Sequence, residues 1–562
     1  MMTRLHIAMA TALVCFVTAC GRNETRDAEA PPLYNNLGSH HFAITTSTPE
    51  AQQYFDQGMT LSYAFNHAEA IRSFEHAAAL DPGCAMCYWG IAFALGPNIN
   101  APITEDAAAA AWKAIEEAKK HATSASEREQ AYIAALSARY TADPKSERAP
   151  LDRAYADAMR ALSTKYPDDL DLATLYAQSV MDTSPWNYWG KDGSPHPFTP
   201  AVLEALESVL KRKPDHIGAI HLYIHAVEAS PDPARAEAYA DKLAALVPGA
   251  GHLVHMPAHV YLRVGRYADA AATNEAAVKA DAAYFAGDAV PGNMTYQVGY
   301  VPHNHHFIVA AASFQGRRAR AMEASRATRG AAHADMLRDP AMGGMAQHFA
   351  LTPIFTMIRF ALWDQVLAEA APPEDLPYMR GVWHTARGLA FTAKRALDDA
   401  RREQAAVATL KDHASLGTLY ISSANVASKI VAIGYEVLSG ELAVAAKNAD
   451  ETAKHFANAV AIEDDLTYME PPDWPISVRQ MQGTALLEVG RAAEAEQAFR
   501  GDLQKFPDNG WSLSGLHASL ERQKKSGEAA DVKTRFDRAW SAADTKVNAG
   551  RAETPVGTPP GC

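Results

Sequence analysis

Histidine binds metals and carries protons near neutral pH, and in this chain it is unevenly distributed. Of 22 histidines, nine fall between His216 and His306. His221 and His225 are followed 34 residues later by His255 and His259, and a third segment carries His303, His305 and His306. On a helix, residues three, four or seven apart share a face. His221, His225 and Glu228 meet that spacing, as do His252, His255 and His259, and so does the pair His303 and His306. A pattern returning at a fixed interval marks a repeated unit, and equal phase in adjacent units stacks these side chains beside one another.

The chemistry such a set supports is metal ligation. Same-face neighbours on a helix lie about 5–6 Å apart at Cβ, and adjacent helices pack at about 8–10 Å, so imidazoles from two helices can meet on one ion. No cysteine joins the set. Imidazole with a carboxylate suits a divalent transition metal such as zinc, copper or iron. Crowded imidazoles repel when protonated, which favours the neutral, ligating form. The expected ligands are His221, His225, His255 and His259, with His252, His303 and His306 as further members. Glu228 is the candidate catalytic residue, as general base or as the group that orients a ligating imidazole. His216 and His305 fall off the shared face and read as structural. A lone histidine in such a place is ordinarily a core or solvent-facing residue; only the coincidence of phase makes a set. Four ligands would close a structural site, whereas three would leave a position for water or substrate. No P-loop, nucleophile elbow, H-E-x-x-H or dinucleotide fingerprint occurs, so the sequence names no reaction.

The elements that must position these residues are helices. Alanine runs such as Ala107 to Ala111, with little strand-type alternation, predict helix throughout. Tyr54, Gly58, Leu61, Ala70, Phe74, Ala77 and Pro82 form a spaced pattern, and Gly483, Leu486, Ala495, Phe499 and Pro507 repeat its offsets. Small residues sit where two helices would cross, Phe and Leu fill the seam, and proline stops the second helix. Between these ends the signal is looser, carried by Ala236, Gly265 with Ala270, and Gly316 with Ala321. This pattern resembles the tetratricopeptide repeat superfamily over most of residues 48–540, and is similar to its long, divergent bacterial members and to tetratricopeptide protein 38. The resemblance implies an all-α, right-handed solenoid of helical hairpins and a habit of binding ligands in the concave groove, but no reaction. Registered on that superfamily, the groove-lining places of three adjacent first helices are taken by His252 and His303, by His221, His255 and His306, by His225 and His259, and by Glu228.

The remaining segments set the expected context. Residues 1–19 read as a lipoprotein signal peptide: Arg4, a short apolar stretch from Ile7 to Val17, then Val17-Thr18-Ala19-Cys20, which resembles the bacterial lipobox with Cys20 as the acylated residue. That places the protein in the cell envelope of a Gram-negative-type bacterium, held by its lipid anchor at the outer membrane and facing the periplasm. Residues 20–47 read as a flexible tether, 48–280 as an N-terminal solenoid with the histidine-lined groove, 281–540 as a C-terminal solenoid and 541–562 as a disordered tail. The net charge of -13 and pI near 5.9 argue against a nucleic-acid partner. Cys84 and Cys87 read as a disulfide or an inert pair rather than a redox couple. The expected function is binding of a transition metal by the concave-face histidines, with metal-dependent chemistry on a small molecule or peptide. The alternative is a metal-free scaffold for another envelope protein.

Overall fold

A computed structural model describes residues 30–287, 293–294, 296–422 and 424–554. The expected signal peptide and Cys20 lie outside them. The described chain is an all-α solenoid of antiparallel helical hairpins, from Pro49–Tyr63 with His67–Leu80 through to Gly510–Arg522 with Ser526–Ala539. Among the described residues, the sole ladder is the two-residue hairpin Val547–Asn548 with Arg551–Ala552. No described helix is long and apolar enough to cross a membrane.

The repeat has a clear steric basis. Phe74 of one second helix is wedged between Gly58 and Gly90 of the two flanking first helices. A Cβ at either glycine would come within 2.5 Å of the ring. Phe499 is held in the same way by Gly483 and Gly515. The hairpin turns are equally uniform. Phe65, Gly265, Gly316, Ala361, Arg395, Lys447, Gly490 and Lys524 all have positive φ, and each stands two residues before the start of a second helix. In each turn the next amide donates back to the first helix, as Asn66 N–H does to the Leu61 carbonyl and Arg266 N–H to that of Tyr261. This is the Schellman closure, which glycine accommodates without strain and other residues adopt at a cost. Only three of the eight turns carry glycine.

Three boundaries differ from those expected. From residue 30 onward the tether is packed: Leu37 and Phe42 belong to the first core, and Tyr34 N–H bonds to Gln57. Apolar side chains at these two positions outweighed the polar composition around them. The division at 280 falls inside that same core, which runs to Phe314; the second core begins at Ala312. The tail is built through residue 554, with Ala552 in the second core and Gly550 accepting from Gln480.

The coil also closes on itself. Tyr267 Oη donates to the Pro507 carbonyl (2.8 Å) and Trp511 Nε1 to that of Ser313 (2.8 Å). Lys191 pairs with Asp465. Late repeats therefore reach the histidine-bearing ones.

Candidate metal centre

Three successive first helices carry the histidines: Ile217–Val227, the pair Gly251–His255 and Pro257–Val264, and Val301–Phe314. Every residue of Ile217–Val227 is buried. The middle helix is interrupted at Met256, where Pro257 has no N–H to continue the ladder. His252 and His255 lie before this break and His259 after it.

Six of the seven expected histidines come together as two adjacent trios. His221, His225 and His252 form one, and His255, His259 and His303 the other; within each, the nitrogens available for ligation lie within 4.8 Å of one another. The trios are contiguous, with His225 and His259 ring centroids 5.5 Å apart and those of His252 and His255 5.7 Å apart. All six are buried except His303, which is partly buried.

The hydrogen bonds around the rings determine which nitrogens are free. His221 Nδ1 lies 2.6 Å from the Tyr63 carbonyl, which can only accept, so the proton is on Nδ1. His255 Nδ1 lies 2.7 Å from Asn274 Oδ1; the orientation of that amide is fixed because its Nδ2 donates to the Ala270 carbonyl. Glu228 takes one imidazole on each oxygen, His225 Nδ1 at 2.7 Å and His259 Nδ1 at 2.5 Å. In four of six rings Nδ1 is therefore the donor, and Nε2 faces the interior of its trio. Donation from Nδ1 to a carbonyl or carboxylate is the usual arrangement behind metal-ligating histidines. The Nε2 atoms of His255 and His259 are only 2.9 Å apart, and His225 Nε2 and His252 Nδ1 are buried with no hydrogen-bond partner.

The electrostatics fit this wiring. Burial, then the neighbouring imidazoles, pushes His221, His252, His255 and His303 well below the ordinary histidine range. Burial opposes ionisation of Glu228, yet His259 and His225 outweigh it and hold the carboxyl well below its usual range. Burial also disfavours charge on His259, but Glu228, with Glu470 behind it, raises that group to about 9. Burial pushes Glu470 up. His259 therefore holds a proton that balances Glu228, a place that a cation bound by the trio would take over.

His306 does not join. It lies one turn past His303 and points to the next helix, Gly343–Arg359, with its ring 5.8 Å from that of His348. The three-residue offset, about 60° off alignment on a helix, becomes decisive at the edge of the cluster. His216 stands apart as expected: it caps its helix by accepting from Ala219 N–H through Nδ1, and its Nε2 faces Asp171 at 3.2 Å beside His40. His305 makes no contact with either trio among the described residues.

Several participants were not foreseen. Glu470 reaches within 3.5 Å of His259 Nδ1, and Tyr468 Oη donates to Glu228 at 3.3 Å. Phe65 lies against His221, His252 and His225 at ring-centroid distances of 4.5, 5.4 and 6.3 Å, with its backbone at φ 54°. Asn274 carried one readable signal, its place on the helix that pairs with that of His255. Glu470 and Tyr468 carried none, being more than 200 residues away. Tyr300 packs on His252 at 4.6 Å, and Tyr296 Oη accepts from the His252 amide. Tyr223 and Tyr261 turn outward to Glu207 and Asp241.

A cavity of about 500 Å³ meets the first trio through its Trp186 wall, and among the described residues no histidine lines it. Asn98, Asn100, Asn187 and Thr467 line it, and its Trp186 wall meets His225 edge-on at 5.1 Å.

No family model matches this chain, and no curated protein does. Among solved structures, it is similar to human IFIT1 in a dimer with PPP-AAAA, at 13% identity and TM-score 0.33 over 88% of this chain and 91% of that one. It is similar to yeast Tom70 at 10% identity and TM-score 0.28 over 82% and 92%. The TPR domain of P58(IPK) matches at 12% identity and TM-score 0.18, over 85% of this chain and 99% of that one.

Proposed function

We propose that the protein binds divalent transition-metal ions at its two histidine trios and uses the open coordination positions for chemistry on a small molecule or peptide admitted through the adjoining cavity. The observation that carries this reading is the pair of Nε2 atoms of His255 and His259. Both rings commit their Nδ1 protons elsewhere, so two lone pairs converge at 2.9 Å, which is stable only with a cation or an extra proton between them. Tetrahedral zinc with Zn–N of about 2.0–2.1 Å needs nitrogens about 3.3 Å apart, a small adjustment. Three nitrogens per trio and no sulfur suit zinc, copper or iron, and each trio leaves room for a further ligand.

A metal held there would supply Lewis acidity to a bound water or carbonyl. Glu228 holds two imidazoles in the ligating tautomer. Glu470, protonated more readily than an ordinary carboxyl because it is buried, is the better candidate for moving a proton, with Tyr468 beside it. A scaffold role fits less well, since the concave face is filled by the histidines and Phe65 and covered by segments bearing Asn98, Trp186 and Tyr468. The lipid anchor at Cys20 and the outer-membrane, periplasm-facing location remain part of this proposal. The Cys84–Cys87 disulfide supports an oxidising compartment.

The test is metal analysis of protein purified without chelator. One to two transition-metal ions per chain are expected. His221→Ala and His255→Ala should each remove metal, whereas His216→Ala should retain it. Metal-free protein that takes up none on titration with zinc, copper or iron would overturn the proposal.

A further inference from the structure

A second buried site lies in the C-terminal half, independent of the histidines. Arg359 ends the helix Gly343–Arg359 and is only 7% exposed. Its Nη1 donates to Gln480 Oε1 (2.6 Å), and its guanidinium lies 4.3 Å from the centroid of the Trp511 ring. Its Nε has no hydrogen-bond partner, and among the described residues it makes no ion pair. Buried charges are ordinarily paired. Burial accordingly pushes this guanidinium down to about 9, with Asp502 and Tyr267 offsetting only part of the effect.

Arg359 lines a cavity of about 280 Å³. The walls are mixed: Trp363, Leu389 and Trp511 stand beside Thr392, Thr484 and Arg395. Of the other cations on the wall, Arg551 is partly buried and bonds to Glu441 and Glu488 at 2.9 Å each, and Arg395 is exposed. Gln480 is fixed from behind by donating to the Gly550 carbonyl (2.6 Å), so its Oε1 stays on Arg359. Arg359 is thus the buried cation of this cavity that has no ion pair among the described residues, held in place beside Trp511.

We propose that this cavity binds a small organic monoanion, a carboxylate with an apolar body, whose charge pairs with Arg359 and whose chain packs on the tryptophan-lined wall. A guanidinium with one arm already engaged on Gln480 matches one carboxylate.

Calorimetric titration of the full chain with hexanoate tests this, with hexanol and hexylamine as neutral and cationic controls. Hexanoate should bind, and both controls should bind roughly tenfold or more weaker, as expected for loss of a charge-assisted bond. Arg359→Met should weaken hexanoate by a similar factor with helix content unchanged. Ala445→Phe, which fills the partly exposed wall without touching Arg359, should also abolish binding and serves if the first variant misfolds. No binding of hexanoate, equal binding of hexanol, or undiminished binding in Ala445→Phe would overturn the proposal.

Discussion

His255 and His259, one helical turn apart, face each other through Nε2 atoms while each gives its Nδ1 proton to a different acceptor. The two acceptors differ in reach. Asn274 serves only the second trio, whereas Glu228 serves both.

Substitution of Glu228 should therefore separate from all others in stoichiometry. Glu228→Ala should weaken both trios by about 10–100-fold, the usual effect of losing an orienting partner. In Glu228→Gln one oxygen can still accept from an imidazole, but the amide NH2 opposes the other ring, so one trio should weaken and the other persist. Chelator competition with two resolved binding steps measures this; equal loss of both steps in the glutamine variant would contradict it.

Asn274→Ala removes the acceptor that fixes the His255 tautomer. The second trio should lose about 10–100-fold in affinity and the first should be unchanged. Titration with cobalt, read by its absorption, distinguishes loss of one site from loss of two.

Phe65 inverts a common rule. Alanine is normally the more stabilising residue than glycine, but φ at this turn is 54°. Both Phe65→Ala and Phe65→Gly lose the ring that packs on three histidines, and only alanine retains the left-handed penalty of about 1–2 kcal/mol. The glycine variant should be more stable than the alanine variant by about 1 kcal/mol in denaturant unfolding. The reverse order would show that the turn relaxes when the ring is removed.

Asp281 should produce a pH effect of its own. It is buried and accepts from Tyr296 Oη (3.0 Å) and Asn304 Nδ2 (2.7 Å), and burial raises its carboxyl to about 7. Between about pH 4 and pH 7 the unfolded chain has lost a proton that the folded chain keeps, so stability from this group falls as pH rises and levels off above 7. Asn304 Oδ1 is buried without a partner, and a flip of that amide would let it accept from a neutral partner at 281. Asp281→Asn should therefore gain stability relative to the parent from pH 4 to pH 7, seen as a widening difference in urea midpoint. A constant difference would place the carboxyl's titration in its ordinary range.

How far the sequence carried depends on distance along the chain. The helical-hairpin architecture was readable because Gly58, Phe74 and Gly90 contact one another within a single repeat and its neighbour. The members of the two trios were readable, His306 excepted, because His221 with His255 and His225 with His259 recur at 34 residues, while His252 and His303 fall on the same face once the repeats are registered. Their division into two groups was not, since it depends on the break at Pro257 and on which helix each ring faces. The packing of residues 30–47 was missed because two apolar side chains, Leu37 and Phe42, decide it against the composition around them. Glu470 and Tyr468 were invisible for a different reason: they arrive through closure of the coil, and nothing in their own segment marks the destination.

That closure fixes the number of turns. Open solenoids lengthen or shorten by whole units, because each unit contacts only its neighbours. Here an added or deleted hairpin between residues 318 and 464 would carry Glu470 and Tyr468 along the coil axis, away from His259 and Glu228, and would part Tyr267 from Pro507 and Trp511 from Ser313 as well. A chain assembled from interchangeable pieces has in this way become one whose pieces can no longer be exchanged, and its repeat number is as constrained as a catalytic side chain.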